Sequence, residues 1–359
     1  MANMAMLGRM DGDIMAVLQN PYRGVGLPGL WDGDPVWPSV DADAVAGLLA
    51  KCPAAAETPL CEVAGFGGIE RLFIKDETAR MGLGSFKALG AAYAIAREAS
   101  AAGGSLEGRC FIAASAGNHG LSVAVGARMF GARAVIVLAE TVPESFAERL
   151  RSKGAEVVRA GAIYEDSMAE AMRLADEMGW TLLSDSSWPG YVELPYRVME
   201  GYLQLVAEAA RQIPAAPTHI FLQAGVGGLA AAVAAYARLI WGDGPLIAVV
   251  EPEFAPALLE SIQAGKVVVA DGPVSEMGRL DCKEPSLVAL TGLARDADVF
   301  MTVSEAEAAG AVARLAEAGI STTPSGAAGV AGVLTGAPEL GLVAGSRVLC
   351  IVSETGDVA

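Results

Sequence analysis

Between residues 110 and 186, short apolar runs alternate with longer stretches in which apolar residues return every three or four positions. "CFIAAS", "ARAVIVLA", "AEVVRA" and "TLLSDS" read as strands. The helix from about His119 through "LSVAVGARMFG", then "PESFAERLRSKG" and "YEDSMAEAMRLADEMG", read as helices closed by glycine. Apolar strands interleaved with amphipathic helices predict a parallel sheet covered on both faces. A second set begins with a helix over "LPYRVMEGYLQLVAEAARQI" and continues as strand "THIFLQA", helix "GGLAAAVAAYARLI" and strand "PLIAVVEP". It ends with "VFMTVS", the helices "EAEAAGAVARLAEAG" and "SGAAGVAGVLTG", and the last strand "RVLCIVS".

Ahead of both sets, "RLFIKD" predicts a strand, and Phe86, Leu89 and Tyr93 recur at helical spacing in the segment after it. The first sixty residues, rich in proline and glycine, predict an irregular lead-in with few regular elements. The expected fold class is α/β, with two domains that each hold a largely parallel sheet flanked by helices. Residues 82–190 form the smaller, mobile domain, and residues 1–81 with 191–359 form the larger one.

Composition narrows the function. The net charge is −17, from 25 basic and 42 acidic residues, a field that repels polyanions and argues against nucleic acid or an anionic membrane as partner. No stretch approaches the roughly 20 apolar residues of a membrane span. The first twenty residues carry early acids and no long apolar core, so a secretory leader is not expected. Five scattered cysteines suit a reducing compartment, and two histidines without clustered cysteines make a transition-metal site improbable. A cytoplasmic location without a bound metal is the expectation.

Lys87 is the single lysine of "GLGSFKALGAAYAIA", a run otherwise small and apolar apart from its hydroxyls. A desolvated ammonium is costly unless paired, neutral or used covalently, and a Schiff-base lysine calls for a lowered pKa. In "FLQAGVGGLAAAV" a strand ends at Ala224; Gly225, Val226, Gly227, Gly228 and Leu229 then lead straight into a helix. Such a turn brings backbone N–H groups to an anion at a helix N-terminus. It lacks both the lysine of a P-loop and the spacing of a dinucleotide fingerprint, and a plain tight turn explains it equally well.

"ASAGNHGLSVA" puts Asn118 and His119 at a helix start, as a cap and a structural histidine or as a grip for a carboxylate or ring hydroxyl. Asp185 and Ser353 stand at strand ends, the binding edge of a parallel sheet, where each also passes as a turn residue. Together, a lone helix lysine, a phosphate-type turn and polar strand ends indicate one bridging cofactor, pyridoxal 5′-phosphate, held covalently at one end and by its phosphate at the other.

At these residues the chain resembles the fold-type II (tryptophan synthase β-like) pyridoxal-phosphate enzymes, and within them the diaminopropionate ammonia-lyases. The resemblance runs from "ETPL" (57–60) to "SETGD" (353–357) and rests on "KDETARMGLGSFKALGAAYA", "GNHG", "DSSWPGY", "THIFLQAGVGGLA", "VEP", "MGRLDCKEPS" and "SGAAG". It implies that Lys87 holds the cofactor and Asn118 bonds its ring oxygen. Gly225, Val226, Gly227, Gly228 and Leu229 would cradle the phosphate, and Ser353 would face the pyridine nitrogen. Ser115, Ala116 and His119 would line a substrate carboxylate pocket, and Asp185 would assist proton transfer as the second catalytic residue.

The implied reaction is β-elimination from an amino acid, 2,3-diaminopropionate, to pyruvate and ammonia, by a homodimer. A serine/threonine-type dehydratase, or a lyase for a more acidic β-substituted amino acid, is the alternative. Two departures bear on the substrate. Ala116 stands where the family usually carries an aspartate, which predicts activity confined to the L enantiomer. "CGEP" stands here as "CKEP", so that Lys283 is either a solvent-facing residue or a contact for an extra anionic group.

Overall fold

Apolar strands buried on both faces need helices above and below, and the chain supplies them around two sheets. The structure is a computed structural model and describes residues 5–8, 14–64, 66, 68–336 and 338–356. The larger sheet runs in the order Ala5–Gly8, Ile14–Gln19, Val299–Val303, Leu246–Pro252, His219–Gln223, Arg347–Val352, Arg71–Asp76, Leu60–Ala64. Its five central strands are parallel, and antiparallel strands close both edges. The smaller sheet, Glu156–Arg159, Arg133–Leu138, Cys110–Ala114 and Thr181–Leu182, is parallel throughout. Along Val299–Val303, Phe300 enters one apolar cluster while Val299, Met301 and Val303 enter another, so the strand is core on both sides.

The lead-in is more ordered than its composition predicts. Ile14–Gln19 pairs with Val299–Val303, Leu18 lying opposite Phe300, and Ala42–Leu49 is a helix capped by the Asp41 carboxylate. "IMAVLQ" finds its partner some 280 residues away, a pairing that local pattern does not reveal. The helix expected over residues 194–213 is divided at Tyr202 into Glu193–Gly201 and Leu203–Gln212. There Gly201 packs so closely on helix Lys87–Ala101 that a Cβ would lie 2.7 Å from the Leu89 carbonyl oxygen.

A buried ionic cluster fixes the approach to Lys87. Arg80 is 1% exposed and donates to Glu77, Glu208, Thr58 and the Ala56 carbonyl, while Lys75 pairs with Glu208 at 2.7 Å. Met81 follows at φ 51°, in the left-handed region that non-glycine residues rarely adopt. Beyond it the chain bonds to the end of the last strand: Phe86 N–H donates to the Ser353 carbonyl at 3.0 Å, and Thr355 N–H to Gly84 at 2.9 Å. Helix Lys87–Ala101 then lies between helices Asn118–Met129 and Glu193–Gly201. The lysine thus starts a helix clamped between elements before and after the small sheet's last strand.

Candidate active site

Lys87 occupies the first turn of its helix, and its Nζ donates to Oδ2 of Asp185, which lies just past the two-residue strand Thr181–Leu182. Their side chains are 21% and 19% exposed, so the pair is largely buried yet still open to solvent. Tyr191 holds the strand end in place: its hydroxyl donates to the Leu182 carbonyl at 2.8 Å and accepts from Ser184 N–H at 3.1 Å. Asp185 is therefore more than a turn residue, because the fold delivers it to the lysine.

The expected lowering of the Lys87 pKa is not found. Burial does pull the ammonium down, but the Asp185 carboxylate outweighs it and holds the amine above its ordinary value. Burial likewise pushes Asp185 up, yet Lys87 and His119 pull it well below the usual carboxylate range. His119 is buried, its imidazole pulled down by burial against the opposing pull of Asp185. Its Nε2 bonds the Leu183 carbonyl at 2.8 Å while Nδ1 has no hydrogen-bond partner among the described residues.

Asn118 is the first residue of its helix rather than the cap, which is Gly117. Its amide donates to Glu354 Oε2 at 2.6 Å, and Glu354 also receives Thr323 and pairs with Arg279 at 3.0 Å. Ser115 Oγ accepts from Gly117 N–H at 3.3 Å and Gly120 N–H at 3.0 Å, shaping its own loop, while Ala116 projects to solvent. Ser353 is buried beneath the Lys87 segment.

The glycine turn is built for close approach. Gly227 sits at φ +96°, and a Cβ on Gly225 would lie 3.0 Å from Cys282 Sγ and 3.1 Å from Leu280 Cα. Gly228 opens helix Gly228–Trp241, whose first N–H groups have no acceptor within the helix. Leu229 is buried behind the turn. A second chain of bonds joins this turn to the Asp185 loop: Ser187 and Ser286 share a hydroxyl contact at 2.7 Å, and Ser286 N–H donates to the Val226 carbonyl at 3.0 Å.

Lys283 matches neither expectation made for it. Its Nζ bonds Asp281 at 2.7 Å and the Phe254 and Pro273 carbonyls at 2.7 and 2.9 Å, so it ties its loop to the segment after strand Leu246–Pro252. Residues not singled out from sequence also surround the pair. Cys282 has its thiol pushed up to about 11 by burial and Asp185, and Tyr202 is buried against Phe86 with ring centroids 4.8 Å apart. The "MGRLDCKEPS" match was the available signal for Cys282; none marked Tyr202.

These groups fit pyridoxal phosphate: an amine for its carbonyl, a glycine cradle at a helix start for its phosphate, and polar strand ends for its ring. Among the described residues, no group of three or more His, Cys, Asp or Glu side chains is placed to hold a metal ion, and no helix is long and apolar enough to cross a membrane.

The chain belongs to the pyridoxal-phosphate dependent enzyme family, whose model matches residues 52–354, and its fold is that of the fold-type II members. Within that class it is similar to diaminopropionate ammonia-lyase of Escherichia coli (strain K12), at 32% identity over 277 residues, 70% of this chain and 69% of the relative. The solved structure of the Escherichia coli enzyme in complex with an aminoacrylate-PLP azomethine reaction intermediate superposes with a TM-score of 0.84 at 28% identity, covering 95% of this chain and 93% of that one. Biosynthetic L-threonine dehydratase of Burkholderia multivorans is 37% identical over a shorter span, 45% of this chain and 31% of the relative.

Proposed function

We propose that the chain catalyses the pyridoxal-phosphate-dependent β-elimination of 2,3-diaminopropionate, consuming one water and releasing one pyruvate and two ammonia. The observation that carries this reading is the Lys87–Asp185 pair, an amine and a carboxylate in hydrogen-bond contact near a glycine anion cradle. The likeness to diaminopropionate ammonia-lyases over most of the chain supports the substrate.

When bound, pyridoxal phosphate supplies an electron sink that acidifies Cα–H of an amino acid and allows a β-substituent to depart. Lys87 would hold it, Gly225, Val226, Gly227, Gly228 and Leu229 would take its phosphate, and Asn118 and Ser353 would meet its ring. The protein's task is proton traffic. In its neutral form Lys87 Nζ would take the proton from Cα, and Asp185 Oδ2, bonded to Nζ, would orient the amine and relay that same proton to the departing β-group. His119, its Nε2 anchored on the Leu183 carbonyl, stands beside Asp185. Ser115, Ala116 and His119 form the wall for the substrate carboxylate.

Residues 82–190 act as the small mobile domain that closes on substrate and excludes water, against residues 1–81 and 191–359. A homodimer in the cytoplasm is the working form. Ala116 favours a second reading, a serine/threonine-type dehydratase, because it leaves "SAGNH" without the acid expected of an enzyme that handles both enantiomers.

The deciding experiment measures ammonia and pyruvate from L-2,3-diaminopropionate, with L-serine alongside. Two ammonia per pyruvate from the diamine, with little product from serine, establishes the lyase. Turnover of serine alone establishes the dehydratase.

A further inference from the structure

We propose that the Tyr202 hydroxyl donates a hydrogen bond to the phosphate of pyridoxal phosphate, which makes Tyr202 a cofactor-binding residue outside the glycine turn. This rests on the assignment of Lys87 and the glycine turn to that cofactor.

Tyr202 breaks the run between helices Glu193–Gly201 and Leu203–Gln212, and its ring is wedged between two other helices. A Cβ on Gly90, in the Lys87 helix, would lie 2.6 Å from Cε1, and a Cβ on Gly228, at the start of the cradle helix, would lie 3.6 Å from Cε2. Those two ring carbons flank the one that bears the hydroxyl. The hydroxyl therefore lies between the start of the lysine helix and the start of the cradle helix. Phe86, edge-on to the ring, packs against it as well.

The residue is 2% exposed, and its hydroxyl has no hydrogen-bond partner among the described residues. Leaving a buried hydroxyl unpaired is destabilising, and phenylalanine would fill the same space without that cost. The polar groups nearby are the first N–H groups of helix Gly228–Trp241, which are donors, and the Lys87–Asp185 pair, whose carboxylate is already engaged by the ammonium. A cluster of donors is satisfied by a ligand that brings acceptors, and a phosphate at a helix N-terminus brings several. Burial holds the phenol above its ordinary value, so it stays protonated and able to donate.

The test compares wild type with Tyr202→Phe in three measurements: the dissociation constant for pyridoxal phosphate, that for pyridoxal, and the thermal midpoint of the cofactor-free chain. The expected result is pyridoxal phosphate binding weakened between about tenfold and a hundredfold, pyridoxal binding unchanged, and a midpoint equal to or above that of wild type. Equal weakening of both ligands places the contact at the lysine or ring and overturns the proposal. Unchanged affinity for both, or a lowered midpoint of the cofactor-free variant with unchanged affinity, makes the tyrosine structural and also overturns it. Failure of wild type itself to bind pyridoxal phosphate would instead sink the assignment of the site.

Discussion

The Asn118 amide donates to the Glu354 carboxylate at 2.6 Å, joining the helix after the small sheet's Cys110–Ala114 strand to the end of the large sheet's Arg347–Val352 strand. The residue assigned to the cofactor ring thus has a protein partner of its own. Asn118→Ala removes a donor from a buried carboxylate that keeps Arg279 and Thr323. The cofactor-free chain should lose about 1–3 kcal/mol in urea titration, and pyridoxal phosphate should bind more weakly. A variant with wild-type stability would show that the Glu354 contact contributes nothing.

Asp185→Asn should separate loading from turnover. Without the carboxylate, the main pull opposing burial is gone and the Lys87 pKa falls from its raised value. More of the amine is then neutral near pH 8, so capture of pyridoxal phosphate, followed by absorbance, should be faster than in wild type. Turnover should fall by about 10²–10⁴, since the proton-passing group is gone. Slower capture at every pH would mean that Asp185 assists the attachment rather than restraining it.

The buried cluster ahead of Lys87 makes stability depend on pH. Burial pushes Glu208 up, but Arg80 and Lys75 hold it down to about 2 in the folded chain. A depressed carboxylate pKa contributes stability fully above the unfolded value, about 4.3, and loses it as pH falls through the folded value. Glu208→Gln, at a side chain 1% exposed, should cost about 3–5 kcal/mol at pH 7 and little near pH 2. Urea unfolding at both pH values measures the difference; an equal cost at both would remove the ionic explanation.

Ala116 bears on stereochemistry. Wild type should turn over D-2,3-diaminopropionate at least about 100-fold more slowly than the L form, the scale of one missing acid–base group. Ala116→Asp, at an exposed position where the new carboxylate disturbs no packing, should raise the D rate. Comparable D and L rates in wild type would refute the link between this residue and enantiomer choice.

What was legible in the sequence was local. The central strands are apolar through and through, and the glycine turn and Lys87 helix announce themselves within fifteen residues. Asp185 looked like any aspartate before a proline because its meaning is a contact 98 positions away. Tyr202 was absorbed into an unbroken helical pattern, and the break there coincides with the close packing of Gly201 on the Lys87 helix, a contact that lies outside the local pattern. The Lys87 pKa was misjudged for the same reason: burial is visible in a small-residue run, whereas the compensating anion arrives only with the tertiary fold.

The serine pair at 187 and 286 ties the loop after Asp185 to the glycine turn through Val226. An insertion or deletion between Asp185 and Ser187 would therefore unseat the proton-handling carboxylate and the phosphate cradle together. Residues 115–117 carry no such double duty: Ser115 bonds the nearby Gly117 and Gly120 N–H groups, and Ala116 is exposed, whereas Asn118 and His119 reach Glu354 and Leu183. New substrate ranges on this scaffold are consequently expected to arise through changes at 115–117, leaving the length of the 185–187 loop as the part that drifts least.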